Sequence, residues 1–220
     1  MATATLTRKR KRPLPEYPFG IHSNGILMSP EEFDKADYED FDPGFDYELI
    51  NGVLVVSPIP MRQETDPNEE LGHMLRSYRE SHPFGMALDK TLPEQYLRCG
   101  RNRRKADRVV WAGLGRLPRK GETPTIAVEF VSSRKRDREF DYDTKREEYR
   151  KAKVHEYWGI DRFERIMTVH IIHNGFRKKV VTAKQSYRTK LLPGFELPIA
   201  RLFALADQWD EDETGGENAQ

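Results

Sequence analysis

The amino-acid sequence predicts an α/β domain, or an α+β variant of one, built on a mixed β-sheet with flanking helices. An apolar run at 125–131 is followed by a charged helical pattern at 137–151 and by a second apolar run at 155–161. Two strands joined through a helix in one sheet are expected to be parallel, with a right-handed crossover. Hairpins before and after this unit would add antiparallel strands, so the sheet should be mixed.

Two Asn-Gly pairs predict those hairpins. The first, at 51–52, lies between two short β-rich runs at 47–50 and 53–56, and the second, at 174–175, lies within 165–182. Both residues of such a pair tolerate positive φ, which a tight turn between antiparallel strands requires. The sequence therefore predicts one hairpin near the start of the domain and one after the parallel unit.

The region between the first hairpin and the parallel unit is predicted as a helix followed by strands. A helix is expected at about 66–81 because apolar residues recur there at helical spacing. The remaining elements are one or two strands within 84–97, a basic loop at 98–105, and strands at about 106–112 and 124–131.

The length of 220 residues predicts one domain with irregular ends. Residues 1–19 are basic and proline-rich and indicate a flexible basic arm. The domain is expected to span 20–206 and to close with a helical turn at 199–206. The acidic residues that follow indicate a disordered tail at 207–220.

The net charge does not indicate a binding partner, but the basic residues are clustered. The chain has 37 Lys and Arg against 36 Asp and Glu. Local basic clusters can neutralise phosphates even in a balanced chain, and the same clusters also suit solvated faces or a solubilising arm. They lie at 8–12, 101–105, 134–136 and 177–179.

Several classes of protein are excluded by composition. A single cysteine, Cys99, excludes an intramolecular disulfide framework and a cysteine-based zinc site. No apolar stretch approaches the roughly 18 residues that a membrane span needs. The N-terminal residues lack the apolar core of a secretory signal. A cytoplasmic protein without a membrane segment is expected.

The most informative residue for function is Glu129, a carboxylate inside the apolar run at 125–131. A bare charge in a buried strand costs several kcal/mol unless it is paired. Asp107 heads the preceding β-rich run, and the following helix carries Lys145 on the same face as Asp141 and Tyr149. Two acids on neighbouring strands with a nearby lysine predict a divalent-metal site that cleaves phosphodiesters. Ion pairs with arginine or lysine would also explain why these acids are buried, without any metal. Tyr149 is equally compatible with a position in the apolar core.

Each of these residues suits one part of phosphodiester hydrolysis. Mg²⁺, or Mn²⁺ in its place, prefers carboxylate oxygens, and it lowers the pKa of an attacking water. Asp107 and Glu129 could hold the metal, with Glu48 as a further carboxylate and the Phe130 carbonyl as a further ligand. Lys145 could position the water and offset the growing negative charge.

In this order the residues resemble the PD-(D/E)xK nucleases, and more closely the Uma-two family of proposed restriction endonucleases. The resemblance spans about 29–185 and implies a restriction-endonuclease-like core, with Asp107 and Glu129 as metal ligands and Lys145 as the catalytic lysine. Its five pieces are Tyr47-Glu48-Leu49-Ile50-Asn51-Gly52-Val53-Leu54, Ala106-Asp107, Glu129-Phe130-Val131-Ser132, the helix residues Asp141, Lys145 and Tyr149, and Glu156-Tyr157-Trp158.

The chain departs from the family pattern at three places. Ala106 replaces the proline before the acid, and Val131 stands where the general motif carries its lysine. The lysine of the Uma-two pattern comes from the following helix, which assigns that role to Lys145. A histidine frequent before the second helix is replaced by the segment 64–66.

Three functions are compatible with these residues. The first is a metal-dependent DNA endonuclease, and the second is a catalytically inactive nuclease fold that binds nucleic acid. The third is a structural protein whose acids are paired with arginines. DNA is the expected partner for the first two, and a homodimer would suit cleavage of both strands.

Overall fold

The computed structural model describes residues 16–131, 135–173 and 175–215, with the side chains of 135–142 and 211–215 left undescribed. Four helices and ten strands are assigned in these residues. The helices are α1 (Pro30–Lys35), α2 (Arg62–Ser81), α3 (Lys135–Lys151) and α4 (Ile199–Gly215). The strands are β1 (Phe45–Ile50), β2 (Val53–Pro58), β3 (Leu88–Cys99), β4 (Asn102–Ala112), β5 (Ile126–Phe130), β6 (Glu156–Asp161), β7 (Ile166–Ile171), β8 (Arg177–Thr182), β9 (Ser186–Tyr187) and β10 (Leu197–Pro198).

Eight of the described strands form one mixed sheet, as predicted. Seven lie in the order β2-β1-β4-β5-β6-β7-β8, and β3 pairs with β4. Strands β5 and β6 are parallel and are connected through α3, whereas the other paired strands of the sheet are antiparallel. The predicted α/β fold class with a mixed sheet is therefore confirmed.

The first hairpin forms where the Asn-Gly turn predicted it. Strands β1 and β2 pair from Phe45↔Pro58 to Ile50↔Val53. Asn51 and Gly52 have φ of 53° and 78°, the left-handed values that a two-residue turn of this kind requires. In the second hairpin, β7 and β8 pair over their full lengths. Asn174 lies outside the described residues.

The predicted basic loop at 98–105 is wrong. Strand β3 runs to Cys99, the chain turns at Gly100-Arg101, and β4 begins at Asn102. Gly100 has φ of 64°, which suits glycine at a tight turn. A run of charged residues usually lies in solvent, whereas Arg104 is only 1% exposed. Its charge is balanced by acids from distant parts of the chain.

The sheet is covered on both faces by apolar clusters. One cluster joins β4–β7 to α2, α4 and the β9–β10 region, and it includes Leu75, Trp158 and Phe203. A second cluster lies under α3 and includes Tyr149 and Tyr157. Because side chains alternate across a strand, Glu129 lies on the face of Ala127, which belongs to the α3 cluster.

Both predicted chain ends need correction. Helix α4 continues to Gly215, so the disordered tail predicted from 207 is wrong for 207–215. The Trp209 indole donates to Asp66 at 3.0 Å, and Arg162 pairs with Asp210 at 2.6 Å. These contacts extend the helix beyond the predicted turn at 199–206. At the other end, Phe19 bridges Phe41, so the last residue of the predicted arm belongs to the fold; residues 1–15 lie outside the described part.

No described helix is long and apolar enough to cross a bilayer.

His170 is a buried histidine whose protonation is expected to destabilise the fold. Its ring lies between Tyr157 and Phe176, at 5.6 Å from each ring centre, and the residue is 4% exposed. Burial, with further repulsion from Arg146 and Lys178, lowers the pKa of His170 to about 4. This pKa lies below the ordinary value of 6.5, so the neutral ring contributes stability that is complete above pH 6.5 and is lost as pH falls towards 4.

We therefore expect His170→Gln to remove an acid-sensitive part of the unfolding free energy, about 2–3 kcal/mol between pH 7 and pH 4.5. Denaturant unfolding at both pH values measures it. His73→Gln, at an exposed position on α2, is the matched control and should keep the parent's pH dependence. An unchanged pH dependence in His170→Gln would contradict the assignment.

Candidate active site

Asp107 and Glu129 are brought together by the pairing of β4 with β5. The antiparallel register runs from Val110↔Ile126 to Arg108↔Val128. Continuing it by one pair places Asp107, in the middle of β4, opposite Glu129, near the end of β5, on the face covered by α3. The predicted neighbourhood of the two acids therefore has a direct structural origin.

Helix α3 supplies two partners to Glu129. Lys145 Nζ lies 2.9 Å from Glu129 Oε2, and the Tyr149 hydroxyl donates to Glu129 Oε1. Lys145 and Tyr149 are four positions apart, which places both on one face of the helix. Glu129 is 6% exposed, so both carboxylate oxygens are satisfied in a buried setting. The Asp141 side chain lies outside the described part of the chain.

The second acid is held by the backbone of β5. Asp107 Oδ2 accepts a hydrogen bond from the Phe130 amide at 2.5 Å. Phe130 is the residue after Glu129, so this bond ties one carboxylate to the strand end that carries the other. The residue Asp107 as a whole is intermediate in exposure, but its carboxyl group is desolvated.

The two carboxyl groups repel each other. Desolvation raises the pKa of Asp107 well above its usual range, the neighbouring Glu129 raises it further, and Lys145 opposes the rise. Desolvation also raises the pKa of Glu129, against the opposing effects of Lys145 and Tyr149. One lysine thus acts on both acids. A divalent cation would relieve the repulsion, and carboxylate oxygens are the ligands that Mg²⁺ prefers, so the donor set fits this metal.

Glu48, the third predicted ligand, is bound to an arginine and to a backbone amide of the fold. Its Oε2 pairs with Arg104 at 3.2 Å, and its Oε1 accepts from the Lys105 amide at 3.0 Å. Glu48 still contributes to the raised pKa of Glu129, so its charge acts on the site. Among the described side chains, no group of three or more His, Cys, Asp and Glu residues is arranged to hold a metal ion.

The family of the chain follows from a comparison with known sequences. The profile of the Uma2 family, described as "putative restriction endonuclease", matches residues 30–200, which is most of the chain. The chain belongs to the Uma2 family. This confirms the resemblance drawn from its motifs. A comparison with curated proteins finds no match.

A solved structure shares the fold of this Uma2 chain. It is described as a putative nuclease belonging to DUF820, from Anabaena variabilis ATCC 29413. The two chains superpose with a TM-score of 0.63 at 14% sequence identity, over 81% of this chain and 99% of that chain. At this identity the likeness concerns the fold alone.

The basic cluster at 101–105 of this Uma2 chain is largely paired within the fold. Arg103 pairs with Asp34 at 2.7 Å, Arg104 with Glu48 and Glu148, and Lys105 with Asp46 and Glu94. Most basic residues at 101–105 are therefore occupied by ion pairs within the fold, which argues against a phosphate-binding role for this cluster. The cluster at 177–179 lies exposed on the edge strand β8. Residues 8–12 and the side chains of 134–136 lie outside the described part.

Tyr149 is a core residue, as predicted, but its contact with Glu129 is not predicted from the sequence. The residue is indeed fully buried, but its hydroxyl is a partner of the acid. Burial and the nearby Glu129 charge raise the pKa of Tyr149 well above its usual range, so the phenol stays protonated and donates. The available signal was the spacing of four from Lys145.

Proposed function

We propose that this Uma2 protein is a Mg²⁺-dependent DNA endonuclease that hydrolyses phosphodiester bonds. The single observation that carries the proposal is the juxtaposition of Asp107 and Glu129 on adjacent strands, with Lys145 in contact with Glu129. Membership of a family described as restriction endonucleases supports the same reaction class.

The residues have separate roles in this proposal. Asp107 and Glu129 would hold Mg²⁺, which when bound polarises the phosphate and lowers the pKa of the attacking water. Lys145 offsets negative charge that develops on the phosphate and orients the nucleophile. The Phe130 amide and the Tyr149 hydroxyl keep the two carboxylates in place before substrate arrives.

The test combines metal titration with DNA cleavage. Calorimetric titration of Mn²⁺ into the parent chain at pH 8 should give one saturable binding event, and supercoiled plasmid should be cut when Mg²⁺ or Mn²⁺ is added. Glu129→Gln keeps the side-chain volume and an acceptor for Tyr149, but it removes the charge, and it should lose both signals.

Glu156→Gln is the matched control. Glu156 is also a buried strand carboxylate, 5% exposed, that accepts a tyrosine hydroxyl. It lies on β6, where its partners are Trp158, Tyr187 and Thr189. This variant should keep metal binding and cleavage. DNA binding without metal binding or cleavage in the parent would favour the inactive nucleic-acid-binding module.

We further propose a homodimer for cleavage of duplex DNA, because each site cuts one strand. A dimer would produce linear plasmid early in the reaction, together with a doubled mass in sedimentation. Nicked circles alone from a monomer would contradict this part of the proposal.

A further inference from the structure

Helix α2 presents a buried amide to β4 directly behind Asp107. Asn68 is 5% exposed, and its Nδ2 donates to the main-chain carbonyl of Asp107 at 2.8 Å. Helix α2 lies on the sheet face opposite α3, since its Leu71 and Leu75 belong to the other cluster. The amide therefore fixes the backbone of Asp107 from the side away from the carboxylates.

The orientation of this amide is set by Arg108. Arg108 Nε donates to Asn68 Oδ1 at 2.7 Å and to the Asn68 carbonyl at 3.1 Å. A guanidinium can only donate, so the amide oxygen faces Arg108 and the NH₂ group faces the carbonyl of Asp107. Residues 107 and 108 are thus both held by one side chain of α2.

Arg108 itself has no room to move. The residue is 0% exposed, and its guanidinium lies over Gly72, where an added Cβ would lie 2.6 Å from Nη1. Its outer partner is Glu69, at 3.2 Å. An apolar residue of the same volume would leave the Asn68 oxygens without their donor. The buried guanidinium therefore holds the amide in one orientation.

The pairing of β3 with β4 does not hold Asp107 in place. Strands β3 and β4 pair at Pro93↔Arg108 and at Gln95↔Ala106, but no pair joins Glu94 to Asp107. Glu94 has φ of 53°, a left-handed value that is uncommon for a residue with a side chain. The ladder is interrupted beside Asp107, and Asn68 holds the strand at that position.

We propose that Asn68 is a positioning residue, which fixes the Asp107 carboxylate against Phe130 through the main chain of β4, with Arg108 orienting the amide. The inference deepens the proposed nuclease function and rests on it for its catalytic meaning. Residues that support metal ligands from behind typically change metal affinity or activity by about 10–100-fold when replaced.

The test uses Asn68→Asp, which keeps an acceptor for Arg108 but removes the donor to Asp107. We expect Mn²⁺ affinity in calorimetry to fall by about 10–100-fold, and kcat for plasmid cleavage to fall while KM for DNA stays near the parent value. In metal-free protein, the Phe130 amide should exchange with solvent faster than in the parent, relative to the Val128 amide of the same strand. A general loss of stability would speed both amides alike.

Glu69→Gln is the control because it changes the outer partner of Arg108 without touching Asp107, and it should leave all three readouts unchanged. If Asn68→Asp fails to fold, Asn68→Ser provides the same readouts. Parent-like Phe130 exchange and Mn²⁺ affinity in the folded variant would overturn the assignment. A parent that neither binds metal nor cuts, but whose Phe130 amide responds to Asn68→Asp, would refute the nuclease proposal and leave the positioning contact standing.

Discussion

Lys145→Met is expected to bind Mn²⁺ at least as tightly as the parent chain and to cleave DNA about 10²–10³-fold more slowly. The ammonium group lies 2.9 Å from Glu129 Oε2 and acts electrostatically on Asp107 as well. Its removal leaves the pair more negative, which favours a cation at pH 8. It also removes the group proposed to offset charge on the phosphate. We therefore expect metal binding to be kept while cleavage is slowed. Calorimetry measures the binding, and single-turnover kinetics measure the cleavage.

A comparison with Asp107→Asn distinguishes a metal ligand from a residue that offsets charge on the phosphate. That variant removes a proposed metal ligand, so its loss of cleavage should be accompanied by a loss of metal binding. Lys151→Met makes the same chemical change as Lys145→Met at an exposed position of α3 and should behave as the parent. Parent-like cleavage by Lys145→Met would mean that the contact with Glu129 is only a buried ion pair.

The parts of the fold that the sequence predicts are those with local causes. The Asn51-Gly52 hairpin follows from the φ values that two adjacent residues accept. The parallel pairing of β5 with β6 follows from a strand–helix–strand order. The sequence predicts 98–105 wrongly because the partners of its charged residues lie far away along the chain. Asp34, the partner of Arg103, lies 69 positions earlier, and no local pattern indicates that such charges will be paired inside the fold.

The residues of the candidate site also differ in whether a local sequence pattern predicts them. Glu129 can be singled out from the sequence because a single acid within an apolar run requires a partner. That Lys145 and Tyr149 are its partners depends on how α3 lies on the sheet, which helical spacing only suggests. Asn68 carries no signal of its own, since a lone amide in a polar helix resembles any surface residue. Its role depends on the packing of α2 against β4.

Arg104→Met is expected to lower the free energy of unfolding by about 3–5 kcal/mol, the range for breaking a buried ion pair from one side. The Arg104 side chain is 2% exposed and pairs with both Glu48 and Glu148. Without it, two acids that are mostly buried lose their shared cation. Urea unfolding at pH 7 measures the loss. Arg101→Met, at the exposed turn between β3 and β4, should change stability by less than about 0.5 kcal/mol.

Neutralising the acids should reverse much of this loss. A triple variant with Arg104→Met, Glu48→Gln and Glu148→Gln no longer buries unpaired charge. Its glutamines keep acceptors for the Lys105 amide and the Asn102 side chain, which bind the two acids in the parent. Recovery of at least half of the lost stability is expected. A different outcome would reassign the residue: if Arg104→Met keeps full stability but weakens DNA binding and reduces its salt dependence, Arg104 contacts phosphate, and the basic cluster at 101–105 faces substrate after all.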